Sequence, residues 1–380
     1  METVELAVVG AGPYGLATAA RARARGVDAV LFGKPMGFWR DCMPAQMLLR
    51  SGRDWHLDPA GVDTFEAFLA CTDTRLADAE PIPIGMVLDY SDWFIERQAL
   101  GIRRELVVDC TAVPGGISLE LSNGERLTAR TVVAAPGIAK FAQFPEWARQ
   151  VPEGRRSHTV ERVRFDDVAG ARCLVVGGRQ SAYEWAALLC EHDAAAVHVV
   201  HRHPVPRFAA ADWSFVDAYM DDTMATPGWW RRLSDDRRTQ IGYQFWSVGR
   251  LTLEPWIPQR LDPERVRSWP GSEVTRVAAD ADDELQVTLS DGATVTVDEV
   301  IFATGFRSEL GNVNYLAGLS DTIAQRDGFP VLDENFATTV PGLYLTGFLA
   351  TQDFGPFFGF MRAAIVAATI IVDDITRKLA

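Results

Sequence analysis

A strand that runs into Gly10-Ala-Gly12-Pro13-Tyr14-Gly15 and out into an alanine- and arginine-rich helix leaves this chain few folds to choose from. The strand is Val4-Glu-Leu-Ala-Val-Val9, the helix continues to about Arg25, and Asp28-Ala-Val-Leu-Phe32 follows as a second strand. Strand, glycine turn, helix and strand open a doubly wound parallel sheet. Gly10 permits the tight turn, Gly12 a close backbone approach to a pyrophosphate, and Gly15 the packing of helix on strand. The helix start supplies N–H groups and a positive dipole end to phosphates. A glycine turn in a ligand-free fold of the same class is the plainer alternative.

The pattern returns. Cys173-Leu-Val-Val176 leads into Gly177-Gly178-Arg179-Gln180-Ser181-Ala182, a helix through Glu191 and the strand Ala196-Val-His-Val-Val200. Each copy closes alike, with Asn123-Gly124 before Thr131–Gly137 and Asp291-Gly292 before Glu299–Gly305. Such dipeptides between alternating segments signal hairpins. Gly124 to Gly137 and Gly292 to Gly305 are both 13 residues, and Gly10 to Gly177 is 167 against 168 for Gly137 to Gly305. This spacing predicts an α/β chain of two dinucleotide-binding units, one inserted in the other. The strand Gly342-Leu-Tyr-Leu-Thr-Gly347 completes the first, and hinges fall near Pro136–Pro152 and Gly305–Leu310.

Composition narrows the partners. With 51 acidic against 37 basic residues the net charge is −14, which disfavours nucleic acid or an anionic membrane. A polyanionic cofactor then needs a local cationic cluster. The five cysteines (Cys42, Cys71, Cys110, Cys173, Cys190) contain no CxxC, so neither a redox dithiol nor a zinc knuckle is expected. No basic leader precedes the first strand, and the longest apolar stretch, Ala363–Val372, is too short to span a bilayer, so a cytoplasmic protein is expected.

The second glycine turn carries Arg179 where the middle glycine belongs, either over a pyrophosphate or toward a 2′-phosphate. The following strand ends at His201-Arg202-His203, where a cation favours NADPH over NADH. His198 and the pair His201 and His203 take opposite faces of that strand, so no metal site is expected. The first unit has Gly33 where a carboxylate usually binds ribose, which leaves Lys34 or Arg40 for that contact. There is no HExxH, no GxSxG and no acid pair, so the chemistry belongs to a cofactor.

Taken together, Gly10-x-Gly12-x-x-Gly15, Trp39-Arg40, Gly177-Gly-x-Gln-Ser-Ala182, Ala303-Thr304-Gly305-Phe and Gly342-Leu-Tyr-x-x-Gly347 resemble the single-component flavin-dependent monooxygenases. Leu49-Arg50-Ser51, Asp58-Pro59, Thr64-Phe65-x-x-Phe68-Leu69 and Tyr90-x-x-Trp93 are similar to the amine N-hydroxylases among them. The resemblance implies an FAD domain at 1–150 and 306–380 and an NADPH domain at 151–305. It also implies oxygen transfer from a C4a-(hydro)peroxyflavin to a small or medium apolar molecule, a secondary metabolite being one candidate. It places Trp39, Arg40, Met47, Leu48 and Ser51 at the flavin ring, with Gln352-Asp353-Phe354-Gly355-Pro356 opposite as a helix start. Arg50 becomes an oxygen-side residue. Of the family's FxGxxxHxxx(Y/W) signature, Gly154 and His158 remain while Pro152 and Arg162 replace the aromatics; this keeps His158 as a candidate site residue. The loss also keeps open an FAD/NAD(P)H reductase serving a quinone or protein acceptor, with a nucleotide-sensing regulator as a third option.

Six of the eleven tryptophans fall between Trp213 and Trp269. Residues 208–270 fit neither copy and read as a helical aromatic-rich insertion, with Arg231–Arg238 forming a helix exposed on one side. Either it packs its rings on the domain, or some of them (Trp213, Trp229 and Trp246) face a substrate channel.

Overall fold

A computed structural model describes residues 2–50, 55–279 and 284–380. The chain is an α/β protein built from two parallel sheets. In the first, Ile102–Arg103, Ala29–Phe32, Glu2–Val9, Arg126–Ala134 and Leu343–Leu345 lie side by side in that order, all parallel. Leu6, Ala7 and Val8 have no exposed surface, as a central strand covered on both faces requires. The first half of Arg126–Ala134 also carries an antiparallel meander with Gly116–Leu121 and Val107–Val113. Gly124 (φ +84°) makes the expected turn, with Asn123 Oδ1 accepting from Glu125 N–H at 2.9 Å.

The second sheet repeats the plan as Val266–Pro270, Ala196–His201, Arg172–Val176, Glu299–Phe302 and Arg156–His158, again all parallel. Its meander is Val274–Ala279, Leu285–Leu289 and Thr294–Val297. Here the long strand of the first unit is broken at Asp298, whose carboxylate takes the Arg172 N–H at 2.7 Å and the Arg172 guanidinium. The sequence repeat is therefore a repeat of topology.

Two connections cross between the sheets side by side. Ala142 and Phe306 form an antiparallel bridge, flanked by Gln143 N–H to Gly305 O at 2.9 Å and Arg307 N–H to Phe141 O at 2.8 Å. The final helix, Ala364–Leu379, packs on Pro13–Ala24 through buried Ala17, Ala364 and Ala368, small side chains that let the helices approach closely.

The aromatic-rich segment folds as helices Phe215–Ala225, Trp229–Arg232 and Asp235–Arg250. Two expectations are corrected there. The charged run is not one helix, because Leu233 is extended and Ser234 caps a new one by accepting from Arg237 N–H. Val266–Pro270 is an edge strand of the second sheet, where Trp269 donates to His198 Nδ1 at 3.2 Å beneath the Arg267 guanidinium. Among the described residues no helix is long and apolar enough to cross a membrane.

Candidate cofactor and oxidation site

The two glycine turns are shaped by what a side chain would strike. A Cβ on Gly10 (φ +113°) would lie 2.2 Å from Ala135 O, and one on Gly15 would lie 1.7 Å from Gly10 O. A Cβ on Gly12 would meet nothing within 4 Å. In the second turn, Gly177 (φ +137°) faces Ala303 O at 2.5 Å, and a Cβ on Gly178 would fall 2.2 Å from the His201 ring. The helices that follow, Pro13–Ala24 and Gln180–Glu191, start at Gly12 and Arg179 without a side-chain cap or an acidic residue in the first turn. Two other helices of the chain do carry side-chain caps, Thr64 and Ser234. Leaving these two sets of N–H groups unsatisfied suits anions. The open space at Gly12 and the uncapped turns fit the pyrophosphates of FAD and NADPH.

A cavity of about 410 Å³ has a wall that joins distant segments of the chain, four of which stand out. Trp39, Met47, Leu48 and Arg50 come from the first unit, Arg179, Gln180 and Ser181 from the second glycine turn, and Trp213 from the insertion. The fourth segment went unforeseen: Phe357, Phe360 and Met361, together with Phe245, supply much of the apolar wall. The aromatic run from Phe354 to Phe360 is the signal that could have found it. Trp213 lies between Phe245 (5.3 Å) and Phe360 (5.7 Å) and against Gly249, where a Cβ would sit 2.0 Å from the indole.

Several expected site residues are employed elsewhere. Arg50 lines the cavity, but its guanidinium donates to Glu254 Oε1 (2.9 Å), Gly249 O, Thr252 O (2.7 Å) and Thr252 Oγ1 (2.9 Å). It clasps the insertion rather than presenting a free charge to oxygen. Burial lifts the Glu254 carboxyl, with Arg50 opposing the rise. His158 has no exposed surface and does not line the cavity. Its Nδ1 accepts from Val160 N–H at 3.3 Å, so Nε2 carries the proton and donates to Gly305 O at 3.2 Å. Between Phe144 and Phe306, with its pKa lowered by burial, it packs into the crossover away from the cavity lining. Ser51 lies outside the described residues.

Lys34 is paired with Asp41 at 2.5 Å, and Arg40 with both oxygens of Asp92 at 2.6 and 2.7 Å, both pairs lying at the surface. The Tyr14 hydroxyl donates toward Phe358 O (2.5 Å) and Phe360 O (2.8 Å), and its ring lies against Gly347. The Thr304 hydroxyl goes to Gln143 O, and Gly305 serves the crossover. Residues 352–354 lie in the one-turn helix Thr351–Phe354 and do not line the cavity, whereas the short helix that follows, Pro356–Gly359, brings Phe357 and Gly359 to its wall. The Gln352 carbonyl takes the Trp230 indole N–H at 3.2 Å. Asp353 is buried on Leu332 N–H (2.8 Å) and Arg326, and Phe354 stacks on Phe336 at 3.6 Å. Gly355 (φ +101°) ends that turn and lets the Phe357 ring fold back.

Of the three tryptophans, only Trp213 reaches the cavity. Trp229 stacks on Tyr219 and donates to Thr223 Oγ1 at 2.5 Å, and Trp246 pairs with the exposed Tyr243. Arg202 is exposed just past the strand Ala196–His201, with no side-chain partner among the described residues. His201 is bound to Tyr183 and to His203 O, and no three metal-ligating side chains converge among the described residues.

The fold has a close counterpart in the ornithine N-hydroxylase of Kutzneria sp. 744, with a TM-score of 0.79 at 18% identity over all of both chains. Among curated proteins, the FAD-dependent urate hydroxylase of Xanthomonas campestris is 33% identical over 135 residues; the match spans 34% of this chain and 28% of the hydroxylase. A ferredoxin–NADP reductase of Salinispora tropica is 26% identical over 98% of this chain and 96% of its own. An indole-3-pyruvate monooxygenase of Oryza sativa is 25% identical over 90% and 86%. The family model described as pyridine nucleotide-disulphide oxidoreductase matches residues 4–228, and a second of the same description matches 240–347. With more than half its length in the first match, the chain belongs to the pyridine nucleotide-disulphide oxidoreductase family.

Proposed function

We propose that this chain is an FAD- and NADPH-dependent monooxygenase that consumes NADPH, a proton, O2 and a small or medium apolar substrate, yielding NADP+, water and the substrate with one oxygen added. The observation that carries this reading is the apolar cavity where Trp39, Met47 and Leu48, the second glycine turn and the insertion meet. FAD, when bound, supplies the chemistry: it accepts hydride from NADPH and activates O2.

The residues hold, orient and keep dry. The turn at Gly12 holds the FAD pyrophosphate; Trp39, Met47 and Leu48 flank the ring. Gly177, Gly178, Arg179, Gln180 and Ser181 hold NADPH, and Arg202 its 2′-phosphate. The aromatic wall excludes water, which favours oxygen transfer over loss of peroxide. No catalytic proton donor is assigned, because Arg50 is engaged and His158 lies outside the cavity. The work is done by position. The family's disulphide chemistry is not proposed, since the sequence holds no CxxC and all five cysteines are free thiols.

A reductase passing electrons to a quinone or protein acceptor is the second reading, favoured by the ferredoxin–NADP reductase similarity over nearly the whole chain. Incubation with NADPH, 18O2 and a panel of neutral aromatic ketones, sulfides and amines decides between them. The monooxygenase reading expects a product carrying one labelled oxygen and lower peroxide yield when a substrate is present. Peroxide equal to NADPH consumed with every compound, with fast turnover on a quinone or ferredoxin, supports the reductase.

A further inference from the structure

Among the described residues, the lining of the cavity holds no lysine, histidine, tyrosine, aspartate or glutamate. Its polar side chains are Arg50, Arg179, Arg362, Gln180, Thr159 and Ser181, whose guanidiniums, amide and hydroxyls are poor acceptors of an oxygen atom. The tryptophans offer only ring carbons and a nitrogen whose lone pair is delocalised. Sulfur is the exception. Three of the chain's eight methionines, Met43, Met47 and Met361, and one of its five cysteines, Cys42, line this space. A thioether is soft and polarizable, and it is oxidised in its neutral form. A cysteine reacts as the thiolate, and burial, with Asp41 and Glu161 adding to it, pushes the Cys42 thiol up and keeps it protonated. The thioethers are therefore the most easily oxygenated groups in the wall, and the backbone fixes them there. Leu49 N–H donates to Ile82 O at 2.7 Å and Ile84 N–H to Met47 O at 3.0 Å, which pins the segment carrying Met47 to its neighbour. Met361 follows Phe360, whose carbonyl takes the Tyr14 hydroxyl at 2.8 Å.

We propose that Met43, Met47 and Met361 are sites of self-modification: turning over without a substrate, the protein transfers oxygen to its own cavity wall. This rests on the oxygenation reading, since it uses the same oxygen in the same space. The step consumes NADPH, a proton, O2 and a thioether, and yields NADP+, water and a methionine sulfoxide. The O–O bond breaks; one oxygen bonds to sulfur, which gives up two electrons, and the other leaves as water with the two electrons from NADPH. Held within reach of the reacting oxygen, the side chains gain from proximity what they lack as designed substrates. The product is a polar, chiral side chain on an apolar wall. Each idle turnover that ends this way leaves the cavity a poorer host for an apolar molecule, so substrate protects the enzyme that acts on it.

Peptide mass spectrometry of the flavin-loaded protein after turnover with NADPH, 18O2 and catalase, and no added substrate, tests this. Labelled sulfoxide is expected at the three cavity methionines about tenfold above that at Met224, which is 42% exposed. Reagent hydrogen peroxide, applied to the same protein without NADPH, is expected to reverse the order and mark Met224 first. Methyl phenyl sulfide added during turnover should lower the cavity sulfoxide and take up label itself. Label that follows exposure, or that matches the pattern from reagent peroxide, identifies free peroxide as the oxidant and overturns the proposal. No sulfoxide in the cavity of a protein that does oxygenate methyl phenyl sulfide also overturns it, and leaves the oxygenation reading standing. No label in either, with NADPH turned wholly into peroxide when catalase is omitted, sinks both.

Discussion

Gly12 and Gly15 stand three residues apart and answer to different masters. A Cβ on Gly12 meets open space at an ordinary backbone angle, so Gly12→Ala should leave the melting temperature of the flavin-free protein unchanged while lowering the FAD content of the purified protein. Gly15→Ala drives a methyl into the Gly10 carbonyl and should destabilise the fold by about 3 kcal/mol. Thermal melts with flavin quantitation check both; equal loss of stability would refute the division. Arg202 acts on the other cofactor. Arg202→Ala should raise the KM for NADPH about tenfold and leave that for NADH unchanged, and equal effects would refute its 2′-phosphate role. Arg50→Leu leaves Glu254 buried without its cation and should cost about 3–5 kcal/mol in denaturant unfolding. The glycines were legible in the sequence because their constraints are local: a backbone angle, a close approach. Arg50 was misread because Glu254 lies 204 residues away, and nothing local says that a guanidinium is already engaged.

At the scale of elements, both hairpins and both strand–turn–helix units could be read from period and turn chemistry alone. What escaped was the assembly of the cavity wall. Its unforeseen part, Phe357 to Met361, comes from the segment after Gly355, where a positive φ turns the chain and Tyr14 pins it to the first helix. The resemblance implied a helix start at residues 352–356; the chain makes two short helices there, Thr351–Phe354 with Asp353 and Phe354 packed into the core, and Pro356–Gly359 on the cavity side. Equally, composition marked the aromatic insertion without saying which ring faces inward. The geometry makes a selective forecast. Trp213→Ala should alter substrate preference and raise peroxide release, and Trp246→Ala should change neither, as measured by product and peroxide yields. A comparable effect of both would mean that the cavity is not where oxygen is transferred.

Across the whole molecule, the doubled plan accounts for how little charge chemistry is visible: each unit leaves a helix start without a side-chain cap, which the phosphates of a bound dinucleotide would complete. The acidic total of the chain hides these local electropositive ends. Burial also sets a pH signature. His56, His158, His198 and His201 all have pKa values lowered from 6.5, chiefly by desolvation. As pH falls through 6.5 the unfolded chain takes up protons that the folded chain refuses, so the contribution is fully present well above 6.5 and is lost as pH falls from there toward the lowered folded values. Glu184 and Glu254, lifted above 4.5 by burial, bind protons first in the folded state and should flatten the decline at lower pH. Melts across this range should show the fall; a flat or rising profile contradicts it. The central claim, that two cofactors meet in one dry cavity to transfer oxygen, is tested most directly by reducing the flavin-loaded protein with NADPH under anaerobic conditions and mixing it with O2 while following flavin absorbance and peroxide. The account predicts slow peroxide release as long as NADP+ is retained. Immediate stoichiometric peroxide, together with rapid electron delivery to a quinone or ferredoxin, would contradict it.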